Sequence, residues 1–204
     1  MPLVLLHALG ESGADWDGIA PALARDRRVY ALDLRGHGRS GRAETYSLEL
    51  MRDDVLGFLD VQGLARVDLV GHSLGGFVAC LVAQERPGRV RRLALEDVPA
   101  PRPREAGVLV RPEGELDFDW DMVVAVRGQL DRPEAAWREG LARVTATSLV
   151  IGGGPGSHVP QEGVAELAEL IPDARLVTVP VGHLVHRAAP EEFLRIVTAF
   201  LGRG

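Results

Sequence analysis

The chain has 204 residues, 46% hydrophobic and 25% charged, with a formal net charge of −6. That is the make-up of an ordinary globular domain. The acidic balance leaves no basic surplus for nucleic acid or an anionic membrane surface. Its one cysteine, Cys80, excludes an intrachain disulfide, and all 23 basic residues are arginine, which removes lysine as a Schiff-base or general-base residue.

Taken in order, Leu3–His7 is a short apolar run that reads as a strand. A helical pattern covers Trp16 to Ala24, and Arg28–Asp33 reads as the second strand. Ser47 to Asp60 is helical, Val67–Gly71 is the third strand, Phe77 to Ala83 is helix-forming, and Arg91–Asp97 is the fourth strand. The stretch from Pro99 to Glu115 holds Pro99, Pro101, Pro103, Gly107, Pro112 and Gly114, too many breakers for regular structure. Asp117 to Arg143 looks helical again, interrupted at Asp131-Arg132-Pro133. Ser148–Gly152 and Arg175–Pro180 are the last two strands. Between them Val164, Leu167, Ala168 and Ile171 repeat at helical spacing and stop at Pro172. Phe193, Ile196, Val197, Phe200 and Leu201 mark a final helix that starts near Pro190.

The strand runs are continuous rather than alternating, as expected of parallel strands buried on both faces. Strand and helix alternate, which predicts an α/β domain over residues 1–204. Residues 98–145 read as a short cap or lid inserted within it. No run approaches the ~18 apolar residues of a membrane span. The N-terminus has no basic-then-apolar leader, so a cytoplasmic location without membrane partners is expected. No His, Cys, Asp or Glu group has metal-ligand spacing, and no phosphate-loop signature is present, so neither metal nor cofactor is expected.

The chemistry centres on Gly71-His72-Ser73-Leu74-Gly75-Gly76, a G-x-S-x-G pattern between a strand and a helix. A serine at such a turn sits in a strained backbone, and side chains at Gly71 and Gly75 would clash. Its hydroxyl needs a base, and the base needs an orienting carboxylate. His183, in the loop after the sixth strand, is the candidate base, and His186 is its rival. His7 and His37 suit structural or pocket roles, His72 either packing or chemistry, and His158 a loop surface.

These blocks resemble the α/β-hydrolase superfamily over nearly the whole chain. The resemblance rests on His7-Ala8-Leu9-Gly10, on Asp33-Leu34-Arg35-Gly36-His37-Gly38-Arg39-Ser40, on the Ser73 elbow and on Gly182-His183. It implies a three-layer sandwich with a mostly parallel sheet of about six strands, beginning at the family's third strand. The Arg28–Asp33 strand would then be an open edge, able to pair with a second copy in a homodimer. The resemblance also implies Ser73 as nucleophile, His183 as general base, and the N–H groups of Leu9 and Leu74 as the oxyanion hole. Here Ala8 stands where the family usually has glycine, which restricts the loop carrying Leu9.

The acid departs from the family's usual place. The loop Gly152–Pro160 after the fifth strand contains no Asp or Glu. Asp97, after the strand that follows the nucleophile helix, is the candidate. Its neighbour Glu96 is an alternative, and a site with no acid is a third. The expected activity is hydrolysis of a small carboxylic ester through an acyl-enzyme. C–C bond hydrolysis, perhydrolysis, a lyase reaction and ligand binding without turnover remain open on the same scaffold. Trp120, Met122 and Val123 are candidates for an apolar wall, with core packing the alternative.

Overall fold

The computed structural model describes residues 1–202. The apolar runs form β1 (Leu3–Leu6), β2 (Val29–Leu32), β3 (Val67–His72), β4 (Val90–Glu96), β5 (Thr147–Gly152) and β6 (Ala174–Thr178). They make one parallel sheet in the order β2-β1-β3-β4-β5-β6. Helices α1 (Ala20–Leu23), α2 (Leu48–Val61), α3 (Leu74–Glu85), α4 (Trp120–Asp131), α5 (Ala135–Glu139), α6 (Gln161–Leu170), α7 (Val185–Ala188) and α8 (Pro190–Leu201) flank it.

The unbroken apolar character of β1 follows from its place in the middle layer. Val4 and Leu6 face a core shared with α2, α3 and α6, whereas Leu3 and Leu5 face a second core shared with α1 and α8. Successive side chains alternate faces, so a strand covered on both sides must be apolar at every position. Helix α8 seals the second core with Phe193, Ile196, Val197, Phe200 and Leu201, all buried. Cys80 is buried in the first core, and burial pushes its thiol up to about 12.

Two details differ from the expectations above. The helix expected over Trp16 to Ala24 is split into a 3₁₀ turn at Gly13–Trp16 and the four-residue α1, with Pro21 in its first turn. Proline is tolerated there but not in a helix interior, because it lacks an N–H and clashes with the preceding turn. A single extra turn, α7, precedes α8 and begins two residues after His183. As its prolines and glycines led one to expect, the segment from 99 to 118 has no helix or strand beyond a bridge between His37 and Phe118. Strand β2 is an edge of the sheet, and no helix among the described residues is long and apolar enough to cross a membrane.

The fully buried Phe193 tests the second core. Phe193→Ala is expected to lower unfolding free energy by about 3–5 kcal/mol, read from the denaturant midpoint.

Candidate active site

The turn at Ser73 is built by glycine. Ser73 lies between β3 and α3 with φ 49° and ψ −112°, a conformation that L-residues avoid. A Cβ at Gly71 would stand 2.5 Å from the Gly75 carbonyl oxygen, and one at Gly75 would stand 2.3 Å from that of Leu6. At Gly76 it would meet a Val98 methyl at 2.2 Å. The strand and helix therefore approach closer than any side chain allows. The Ser73 N–H donates to the Glu96 carbonyl at 3.0 Å, which pins the bend to the neighbouring strand. In the first turn of α3, Gly75 donates to the His7 carbonyl (3.1 Å) and Gly76 to that of Ser73 (3.0 Å). Leu74 opens the helix, where an N–H has no partner within the helix and the helix dipole favours negative charge.

Among the described residues, the only non-glycine residues with positive φ are Ser73 and Asp97, the latter at 50°. Backbone strain persists where the surroundings enforce it, and it clusters at functional sites. Asp97 follows β4 directly. His183 reaches it from the loop after β6, and its Nδ1–H donates to Asp97 Oδ2 at 2.7 Å. The same carboxylate accepts the Gly153 N–H (2.8 Å), the Gln161 side-chain N–H (2.9 Å) and the Ser157 hydroxyl. Burial pushes the carboxyl pKa up, but the bonds from His183, Ser157, Gln161 and Gly153 together hold it below the usual carboxylate range. Asp97 is thus an ionised acceptor, and it orients the imidazole with Nε2 free.

The loop that lacks an acid serves the acid from β4 instead. Gly153 and Ser157 come from Gly152–Pro160, and Gln161 opens α6. The polar pair Ser157 and Gln161, either side of Pro160, was the available signal for this role, and the sequence reading passed over it.

His183 is also tied to the elbow. The Nε2–H of His72 donates to the His183 carbonyl at 3.0 Å, and the two rings lie 4.5 Å apart. His158 comes to the site as well, its exposed ring 4.2 Å from that of His183. In the loop after β1, the residue with positive φ is Gly10 (81°), so Ala8 is accommodated without strain. Met122 and Val123 are buried in the core, while Trp120 is only partly buried against it.

Glu96 and His186 belong to a different group. His186 Nδ1 lies 2.9 Å from both Glu96 oxygens, and its Nε2 lies 3.0 Å from Asp15 Oδ1. Arg187 adds a contact to Asp15. Glu96 is therefore occupied, and the acid facing His183 is Asp97. His72, Glu96 and His186 bring ligating atoms within 4.8 Å of one another, a juxtaposition that linear spacing could not show. Both ring nitrogens of His186 face carboxylates, so a bound proton supplies the positive charge there. Burial alone would lower the His186 pKa, but the bonds to Asp15 and Glu96 raise it to about 9.

The α/β hydrolase fold family profile matches residues 1–126, and the chain belongs to that family as an α/β-fold hydrolase. It is 28% identical to the sn-1-specific diacylglycerol lipase ABHD11 of Mus musculus, over 98% of this chain and 80% of that protein. It is 39% identical to the 2-hydroxymuconate semialdehyde hydrolase of Pseudomonas sp. (strain CF600), over 46% of this chain and 35% of that protein. In fold it resembles the enol-lactonase from Burkholderia xenovorans LB400, with a TM-score of 0.84 at 24% identity, over 98% of this chain and 90% of that one.

The buried His186 charge has a pH signature. Its pKa is raised from 6.5 to about 9 on folding, so the stability it contributes is full below 6.5 and is lost as pH rises through 9. Denaturant unfolding at pH 6 and pH 9.5 is expected to show a loss on the order of 3 kcal/mol from this group. His186→Asn should remove that pH dependence and be less stable at pH 6.

Proposed function

We propose that the protein hydrolyses small carboxylic esters through an acyl-enzyme formed on Ser73. The observation that carries this reading is the 2.7 Å bond from His183 to the ionised Asp97, with the His183 carbonyl held by His72, the residue before Ser73 in the strained elbow. In this reading His183 Nε2 takes the Ser73 proton as Oγ attacks the acyl carbonyl. The negative oxygen that develops is held by the N–H groups of Leu9 and Leu74. His183 then returns the proton to the leaving alcohol. Water, activated by the same imidazole, cleaves the acyl-enzyme to release the acid. Asp97 remains ionised throughout and stabilises the imidazolium. The likeness to a lipase over nearly the full chain supports an ester as the scissile group.

A second reading, C–C bond hydrolysis at the same serine, draws on the likeness to 2-hydroxymuconate semialdehyde hydrolase. Parallel assays separate the two. The wild type is expected to turn over p-nitrophenyl acetate faster than 2-hydroxymuconate semialdehyde.

Reaction with a fluorophosphonate probe, followed by peptide mass mapping, should place the adduct on Ser73. Ser73→Ala should lose both the adduct and ester turnover. Asp97→Asn should lower kcat by roughly 10³–10⁴-fold, because the imidazole loses its orientation. Undiminished hydrolysis by Ser73→Ala would overturn the assignment.

A further inference from the structure

Two buried histidines stand apart from Ser73, His183 and Asp97, and their hydrogen bonds form a closed pattern. His7 belongs to the loop after β1, and His37 to the loop after β2. His7 Nε2 accepts the Leu34 N–H at 3.0 Å, and its Nδ1–H donates to the Ala8 carbonyl at 2.7 Å. His37 Nε2 accepts the Gly10 N–H at 3.1 Å, and its Nδ1–H donates to the Arg35 carbonyl at 3.1 Å. Each ring thus takes a backbone proton from the other loop and gives one to a carbonyl of its own. The rings meet edge to face, with centroids 4.8 Å apart at 69°. Backbone chemistry dictates the tautomer. An N–H requires a lone pair and a carbonyl requires a proton, so both rings are neutral with the proton on Nδ1.

The consequence falls on Leu9. The Ala8 carbonyl accepts two donors, the His7 Nδ1–H and the Glu11 N–H at 3.2 Å. In a planar trans peptide the N–H points opposite to the carbonyl. Fixing the Ala8 oxygen on one side therefore aims the Leu9 N–H to the other. The next peptide is fixed as well, since His37 holds the Gly10 N–H. Phe118 closes the arrangement from outside, its ring edge 3.4 Å from where a Gly10 Cβ would stand.

We propose that His7 and His37 are positioning residues that hold the Ala8–Leu9 peptide in the orientation an oxyanion donor requires. This rests on the ester-hydrolase reading above, because Leu9 has a chemical role only there. Neither ring need touch substrate. A packing role would be satisfied by any flat apolar side chain, whereas this one needs an acceptor and a donor on opposite ends of the same group. Glutamine offers both, and phenylalanine offers neither.

The groups facing these rings bear on their charge. Asp33 faces both, Asp15 and Glu11 face His7, and His7 faces His37. Burial outweighs the carboxylates at His7, whose pKa is lowered. Burial and the neighbouring His7 ring take His37 down to about 4. Protonating His37 would set an N–H against the Gly10 N–H and release the loop.

The test compares His37→Phe and His37→Gln in the full chain, with p-nitrophenyl acetate as substrate and a trifluoromethyl ketone as oxyanion mimic. Losing one oxyanion donor costs about 100-fold or more in kcat. His37→Phe is expected to lower kcat by about that factor with KM nearly unchanged, and to weaken the ketone in proportion. His37→Gln should recover most of the loss. Circular dichroism confirms that each variant is folded. Equal behaviour of the two variants, or a kcat loss without weaker ketone binding, overturns the proposal. Imidazole ¹⁵N NMR of Ser73→Ala protein at pH 7 gives a reading that does not depend on turnover. Both rings should carry their proton on Nδ1, and a ring protonated at Nε2 would rule the clamp out. If the wild type neither hydrolyses esters nor labels at Ser73, the ester reading fails and the NMR result still judges the clamp.

Discussion

One buried carboxylate gathers the pieces of the candidate site. Asp97 sits at the end of β4 in a left-handed conformation and accepts bonds from the loop after β6, the loop after β5 and the start of α6. An unpaired charge at that depth would be untenable, so its donors are a condition of the fold as much as of any chemistry. Because Glu96 also receives the Ser73 N–H on its carbonyl, the bend that presents the serine and the acid that orients the imidazole are anchored to the same strand end.

Glu96 and Asp97 show how neighbouring acids can take unrelated tasks. Consecutive residues at a strand end project to opposite sides. Glu96 turns toward His186 and Asp15 in a buried ion cluster, and Asp97 turns toward His183. The cluster keeps the start of α7 against the sheet through the His186 N–H and side chain. The chain leaving His183 is thereby held twice, by His72 at the His183 carbonyl and by Glu96 at the second residue of α7.

Much of this was legible in the residue order. Six apolar runs, each too short for a helix, gave the strands within a residue or two, because parallel strands in a middle layer must be apolar throughout. The elbow was legible because contacts of 2.3–2.5 Å leave no alternative to glycine at Gly71 and Gly75. Asp97 was the candidate ahead of Glu96 from its place after the strand that follows the nucleophile helix, but the direction in which each side chain turns depends on pairing with β5 and β3. The ion cluster was hidden for a related reason. Asp15, His72, Glu96 and His186 are spread over 171 positions, and only the parallel topology brings them together. The donors Ser157, in the loop after β5, and Gln161, at the start of α6, gain a role only once the acid they serve is located.

The acid's residence on β4 divides labour within the molecule. The carboxylate stands directly after the sheet strand, while the loop after β5 and the start of α6 solvate it with a backbone donor, a hydroxyl and an amide. A change in that loop would remove one donor to Asp97 rather than the carboxylate itself. Substitutions there would adjust how the carboxylate is held while the residue facing His183 stays in place.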